Sequence, residues 1–284
     1  MGAAIEAACL GAAAAGSPLR FVPAPDPAGP PVGWLVPAGR PADPADVALA
    51  AWLPLRHTAR VAHRAQQVPV IVQVALQAEA ARIGGRLYCV TDQPAIRRLA
   101  ALAQRATAAA FADPAVHAEV WHWLRLDPAA PAYRRDGLTA DCLGLSAGTH
   151  RLARWVLAPA VMRRLVGCGA HQLLAADTGR LVRRSACLCL LTLPGASPAP
   201  WIAGGRALLR GWLHVAAAGL TTHPISALLD CPATVGSACA AFAARAAHPA
   251  ALFRLGATPR VAQAPRLPLD AFIEQEMPDA YHQF

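Results

Sequence analysis

Lysine is absent from this chain. All 26 basic residues are arginine, set against 17 aspartates and glutamates, for a formal net charge of +9 over 284 residues. Such a surplus ordinarily points to a polyanion partner. Here, however, the arginines are scattered, with the pairs at 97–98, 134–135, 163–164 and 183–184 as the densest clusters. No basic run is interleaved with aromatics as a nucleic-acid surface requires, so arginine-only usage reads as a coding bias with phosphate binding at one or two positions. Long uncharged apolar runs are lacking too. No segment reaches about 18 apolar residues free of charge, which speaks against a membrane-spanning helix. The alanine-rich start has no positive n-region and carries Glu6 inside its apolar stretch, which argues against a signal peptide. The expectation is a cytoplasmic protein with no nucleic-acid or membrane partner.

Several catalytic and metal signatures are also missing. The eight cysteines show no framework spacing. Cys187 and Cys189 share one face of the apolar run Ser185–Leu193. Without a second cysteine pair they read as small core residues in a reducing cytoplasm. His117 and His122 are five apart and diverge by about 140° on a helix, unlike the i, i+4 pair of a zinc site. Ser146 lacks the Gly-x-Ser-x-Gly frame of a nucleophile elbow, and Gly204-Gly205 is too short to cradle a dinucleotide pyrophosphate. No metal ligand and no catalytic acid–base pair stands out.

What is present is alanine and helix punctuation. Hydrophobic residues make up 55% of the chain and charged ones 15%; alanine supplies much of the apolar share and favours helix. Helices are expected over Ala3–Ala15, about 45–53 behind Asp43-Pro44, Val68–Ile83 with Gly84-Gly85 as a stop, and from Asp92 to about Ala110. Others follow from Asp113-Pro114 through Leu124, near 158–174, and from Gly204 to Ala218. Strands are expected at Val32–Val36, Arg86–Val90 and 185–193. Residues 127–151 read as a long excursion. The pattern is an α+β layer with helices on a small mixed sheet.

Two stretches have chemistry in their spacing. Arg56-His57-Thr58-Ala59-Arg60 sets two guanidinium forks and a hydroxyl where they can converge on one phosphate. Further on, Gly219 suits the left-handed end of a helix. Pro224 then biases His223 toward extended geometry, so main-chain N–H groups after it can point outward.

These stretches belong to a longer order of features. Trp201 to Ile273 runs through Gly204-Gly205-Arg206, Gly219-Leu220, Pro224-Ile225-Ser226, Leu252–Gly256 and Ala264-Pro265-Arg266-Leu267-Pro268. With Arg56–Arg60, and with Asp113-Pro114…His122-Trp123-Leu124-Arg125 followed by Asp136-Gly137-Leu138, that order resembles the nitroreductase superfamily of FMN enzymes. It resembles most of all the fused branch, in which one chain carries two nitroreductase-like halves; the likeness covers roughly residues 50–273. On this resemblance residues 46–284 form a nitroreductase-like domain of α+β class, and residues 1–45 are the remnant of a first half.

The resemblance implies FMN, its phosphate held by Arg56, Thr58, Arg60 and Arg266. Arg254 and Arg260 are runners-up for the last position. Pro224, Ser226 and Ala227 lie against the ring, with main-chain donors at Ser226 and Ala227; homologues often carry glutamate where Ser226 stands. It implies hydride transfer from NAD(P)H to a nitro, quinone or similar acceptor, with the flavin site at a homodimer interface. The family's Pro-Ser-x-x-Asn-x-Gln-Pro-Trp element has no equivalent after residue 68, where Gln77 to Tyr88 takes its place. The alternative is therefore a degenerate member that sequesters flavin or serves as a partner protein without catalysis.

Overall fold

The computed structural model describes residues 1–25, 31–64, 66–244, 248–259, 262–268 and 271. In chain order its elements are α1 (Gly2–Ala14), β1 (Leu19–Pro23), β2 (Gly33–Pro37), α2 (Pro44–Ala50), α3 (Val70–Ala81), β3 (Arg86–Val90), α4 (Gln93–Ala112), α5 (Pro114–Trp123), β4 (Leu124–Arg125), β5 (Leu138–Thr139), α6 (Ala147–Val156), α7 (Pro159–Leu165), α8 (Ala170–Arg183), β6 (Cys187–Leu193), α9 (Pro198–Ala217), β7 (Thr221–Pro224), α10 (Ala227–Asp230), α11 (Pro232–Ala241) and β8 (His248–Gly256). The fold is α+β. Asp43, Asp92 and Asp113 each accept a hydrogen bond from the first turn of the helix they precede, satisfying amides that the helix itself leaves open.

β3, β6, β8 and β7 form one sheet in that order. All three pairings are antiparallel; the parallel element is the single bridge Thr58–Thr222 on the β7 edge. Every residue of β6 is buried, because helices cover both faces of the sheet. Leu188, Leu190 and Leu252 pack under α4 and α11 with Ile96, Leu99, Leu102 and Ala238. Cys187, Cys189, Leu191, Phe253 and Leu255 pack under α3 and α9 with Val72, Leu76 and Val215. A third cluster joins α1 and α2 to the outer side of α9 through Leu10, Leu49, Leu209 and Leu213.

α9 begins at Pro198, six residues before the expected Gly204 start. The two glycines lie inside the helix, where packing requires them. A Cβ on Gly204 would sit 2.5 Å from Leu193 Cδ2, and one on Gly205 would sit 3.0 Å from Gly2 Cα. Gly205 lets α1 lie close against α9 and Gly204 admits Leu193; without those contacts the pair would read as a breaker. The expected helix over 158–174 is two helices, α7 and α8, separated by a turn in which Gly169 takes φ +80°. Part of the expected excursion is helical as well: Ser146 caps α6, accepting from Thr149 N at 3.3 Å. Arg125 of β4 is ion-paired with Asp136 just before β5, closing the rest of that excursion into a clasp.

Glu6 is buried at 3% exposure, which an unpaired carboxylate would not tolerate. Its Oε2 accepts from Arg206 Nε at 2.6 Å and its Oε1 from Arg210 Nη1 at 2.9 Å. Arg210 also donates to Asp46 Oδ1 at 2.7 Å and to Glu79 Oε2 at 3.1 Å. His214 Nε2 lies 3.2 Å from Glu79 Oε1. Positions 206, 210 and 214 recur every four residues and so share one face of α9, where the network ties α1, α2 and α3 together. Burial alone would raise the Glu79 carboxyl, yet the hydrogen bond to His214 and the Arg210 charge hold it below its ordinary value. Arg210→Met leaves Glu6 and Glu79 buried without their shared cation. The expected cost is about 3–5 kcal/mol, read as a lower midpoint in urea denaturation.

Candidate functional site

The β7 edge is where the phosphate-like spacing ends up. α9 closes on Gly219 at φ +70°, and Leu220 N donates back to Val215 O at 3.0 Å, which turns the chain into β7. Residues 56–60 then run along this strand. Thr58 bridges Thr222, and Ala59 N donates to Thr222 O at 3.1 Å.

Arg254 holds that segment down. It is on β8, fully buried at 0% exposure, with His223 as its cross-strand partner. Nε donates to His223 Nδ1 at 2.9 Å, Nη1 to Leu181 O at 3.2 Å, and Nη2 to Ala59 O at 3.2 Å and Val61 O at 2.7 Å. Its acceptors are neutral, so burial pushes the guanidinium down to about 10. Because His223 accepts at Nδ1, its ring proton is assigned to Nε2. Burial, then the charges of Arg254 and Arg60, hold His223 well below the usual histidine range. His63 is 5% exposed and is pushed to about 3 by burial and by Arg254.

In front of this basic layer stand the residues picked out by spacing. The Arg56 guanidinium lies 5.7 Å from the centroid of the Trp212 ring. Arg266 reaches back to it, donating from Nη2 to Arg56 O at 3.4 Å. Burial and the Arg266 charge both lower the Arg56 pKa. Arg60 is half-buried, near Cys142 and His223, and is lowered by burial. Among the described residues, no carboxylate lies within 4.0 Å of Arg56, Arg60 or Arg266. Of the seven expected positions, Arg56, Thr58 and Arg60 thus follow the β7 edge and Arg266 touches Arg56, while Arg60 sits apart from that pair, beside Cys142 and His223.

The other three lie where β7 ends. Pro224 is half-buried, Ser226 exposed and Ala227 half-buried. Ile225 N is taken by Leu252 O at 2.8 Å, whereas the amides of Ser226 and Ala227 make no hydrogen bond among the described residues. A cleft of about 530 Å³ beside the edge is lined by His57, Gly219, Thr221, Thr258 and Gln263, and none of the seven lines it.

The other candidates fall into structural roles. Arg254 as a runner-up for phosphate is corrected: its donors are spent on the protein's own carbonyls and His223. Arg260 lies outside the described residues. Residues 262–268 carry no strand. His117 is buried and bonded to Leu157 O at 2.8 Å, while Glu119 and His122 are exposed, so the three do not converge. Spacing gave no warning of His63 and His223. Arg254 carried a signal, as a charge set within the apolar run Leu252–Gly256.

The fold and edge together define an α+β protein with a cationic sheet edge free of carboxylates. No protein-family model and no curated protein matches the sequence. Solved structures do match. They include iodotyrosine deiodinase bound to FMN and 3-iodo-L-tyrosine, 12% identical, covering 83% of this chain and 100% of that chain at a TM-score of 0.46. A nitroreductase with bound FMN from Bacteroides fragilis is 12% identical, covering 83% and 97% at 0.44. An FMN-dependent nitroreductase from Mycobacterium smegmatis in complex with NADPH is 18% identical, covering 81% and 98% at 0.43. Likeness of this extent assigns neither family nor chemistry, and function rests on the chain's own residues. No helix among the described residues is long and apolar enough to cross a membrane.

The buried histidines set the response to acid. The folded pKa of His63 lies below its unfolded value of about 6.5, so the unfolded state binds more protons as pH falls. Stability is complete above pH 6.5 and is lost as pH drops toward 3. At pH 4.5 the His63 contribution alone is a loss of about 3 kcal/mol, to be read as a falling melting temperature. His63→Gln, which cannot titrate, flattens that profile.

Proposed function

We propose that this chain is an FMN-binding oxidoreductase of nitroreductase type. One observation carries the proposal: Arg56 and Arg266 are close enough for their charges to repel, Arg56 is half-buried, and no described carboxylate separates them. Like charges brought together this way favour an anion between them, and a phosphate monoester fits two guanidinium forks plus the Thr58 hydroxyl. FMN fits this donor set, since its phosphate would take Arg56, Thr58, Arg60 and Arg266. Its ring would lie toward Pro224, Ser226 and Ala227, with the amides of Ser226 and Ala227 available as donors.

When bound, FMN supplies hydride transfer between NAD(P)H and an electron acceptor of nitro, quinone or similar type. The protein's part is to position. Arg254 fixes the 59–61 backbone, and with it the direction in which Arg56 and Arg60 point. The positive edge lowers the energy of negative charge placed beside it. Ser226 and Ala227 offer main-chain N–H groups of fixed orientation, which is why a serine can stand where relatives carry glutamate.

None of the seven residues lines the cleft beside the edge, which favours a homodimer in which a second copy completes the wall. Val70, Ile71 and Val74 of α3 are 73%, 73% and 50% exposed and form an apolar stripe suited to such a contact. The fused-branch origin of the chain, with residues 1–45 as a remnant of a first half, is part of the same proposal.

A second reading, flavin sequestration or partner binding without turnover, is favoured by the link between α3 and β3. Gly84 takes φ +69° and Gly85 N donates to Ala80 O at 3.0 Å. A Cβ on Gly85 would sit 2.5 Å from Thr192 O. The chain passes straight from helix to strand, with no segment between them to line a ring.

Purified protein tests both. Flavin absorbance that disappears in Arg56→Ala/Arg266→Ala, with NAD(P)H oxidation in the parent, supports the enzyme. Colour without NAD(P)H oxidation selects flavin sequestration, and protein that stays colourless and ignores added FMN sinks the enzyme and selects partner binding without flavin. Light scattering at twice the chain mass is the expected result for the homodimer.

A further inference from the structure

Three thiols meet where β3 runs beside β6. Cys89 and Cys189 are direct cross-strand partners, and Cys187 lies two residues before Cys189 on the same face. The Sγ atoms of Cys89 and Cys189 are 3.7 Å apart, as are those of Cys187 and Cys189. All three lie within 4.8 Å of one another. Cys187 and Cys189 are fully buried, while Cys89 is half-buried on the edge strand.

We propose that Cys89, Cys187 and Cys189 form a three-sulfur site for a soft monovalent metal ion, Cu(I). Sulfurs at the corners of a trigonal site with metal–sulfur bonds of ~2.3 Å are about 4 Å apart, close to the spacing already present. Among the described residues no fourth histidine, cysteine or carboxylate joins the group, and the apolar side chains of Val72, Leu76, Leu87 and Leu191 belong to the same packed cluster. Zn(II) in a structural site takes four ligands. Cu(I) is selected by soft thiolates and is satisfied by three. The sulfurs sit on rigid paired strands, so little ordering is needed on binding.

A way in exists. A cleft of about 590 Å³ is lined by Thr91, Ser185, Gln73, Arg64, Arg183 and Arg184 among others, and no acidic side chain lines it. Thr91 follows the end of β3 and Ser185 precedes the start of β6, so the cleft opens beside the strand ends that carry Cys89 and Cys187. Ligation replaces S–H protons, which pass to solvent.

The test is an anaerobic titration of the reduced full chain with Cu(I) against the competing chelator bathocuproine disulfonate. One Cu(I) per chain is expected, with a sulfur-to-copper charge-transfer band in the ultraviolet and an affinity that rises with pH. Cys89→Ser and Cys89→Ala, both at the half-buried edge position, lower the affinity by about 100-fold or more with unchanged circular dichroism. Cys168→Ser, at an exposed cysteine elsewhere, leaves it unaltered. Retention of Cu(I) by both Cys89 variants, or a chelator that strips parent and variants alike, overturns the site. Equally tight Zn(II) uptake at the same three cysteines overturns its assignment to a monovalent ion.

Discussion

A guanidinium sealed inside the protein sets the geometry of everything in front of it. Arg254 is fully buried and its hydrogen bonds go to neutral acceptors: three main-chain carbonyls and the Nδ1 of His223. Charged donors make strong hydrogen bonds to neutral carbonyls, and here they offset a desolvation cost that would otherwise neutralise or expel the group. The carbonyls of Ala59 and Val61 are held against the sheet by those donors, so the 56–60 segment is a strand-like rim rather than a free loop. Burial, reinforced by the same charge, keeps His63 and His223 neutral. The course of the 59–61 backbone and part of the acid sensitivity trace back to one side chain.

Much of the fold was legible wherever a local group determines the outcome. Aspartate before proline marks helix starts because both the cap and the ring act within one turn, and the starts of α2, α4 and α5 follow that rule. Glycine at a left-handed position marks the ends of α3 and α9 for an equally local reason. The failures have distant causes. Gly204 and Gly205 read as a helix boundary, yet what they accommodate are Leu193 and the first turn of α1. β1 went unrecognised because its only strand partner, β2, supplies the pairing that a short Pro-containing run cannot show by itself. α6 was hidden in a segment whose prolines and glycines suggested irregular chain, although Ser146 was a local cap signal.

The site divides along the same line. Arg56, Thr58 and Arg60 are proposed from spacing, because residues of one short stretch follow the same sheet edge through their own backbone. Arg266 required a resemblance, since its contact with Arg56 spans the molecule. Arg254 was placed among the ligand candidates because a sequence does not say which face of a strand meets a helix. The thiol trio escaped for a related reason: Cys187 and Cys189 form a visible pair, but Cys89 joins them only through a β3–β6 register across a hundred residues.

The ion network on α9 has a consequence for how the protein is made. Glu6 and its partners Arg206 and Arg210 are separated by 200 and 204 positions. At a synthesis rate of roughly 5–20 residues per second, α1 emerges about 10–40 s before the helix that covers it exists. During that interval α1 can pack on α2 but not on α9, and Glu6 lacks Arg206 and Arg210. α1 therefore waits as an unfinished edge of the nascent chain, and a helix made well before α9 is among the last to be locked in place.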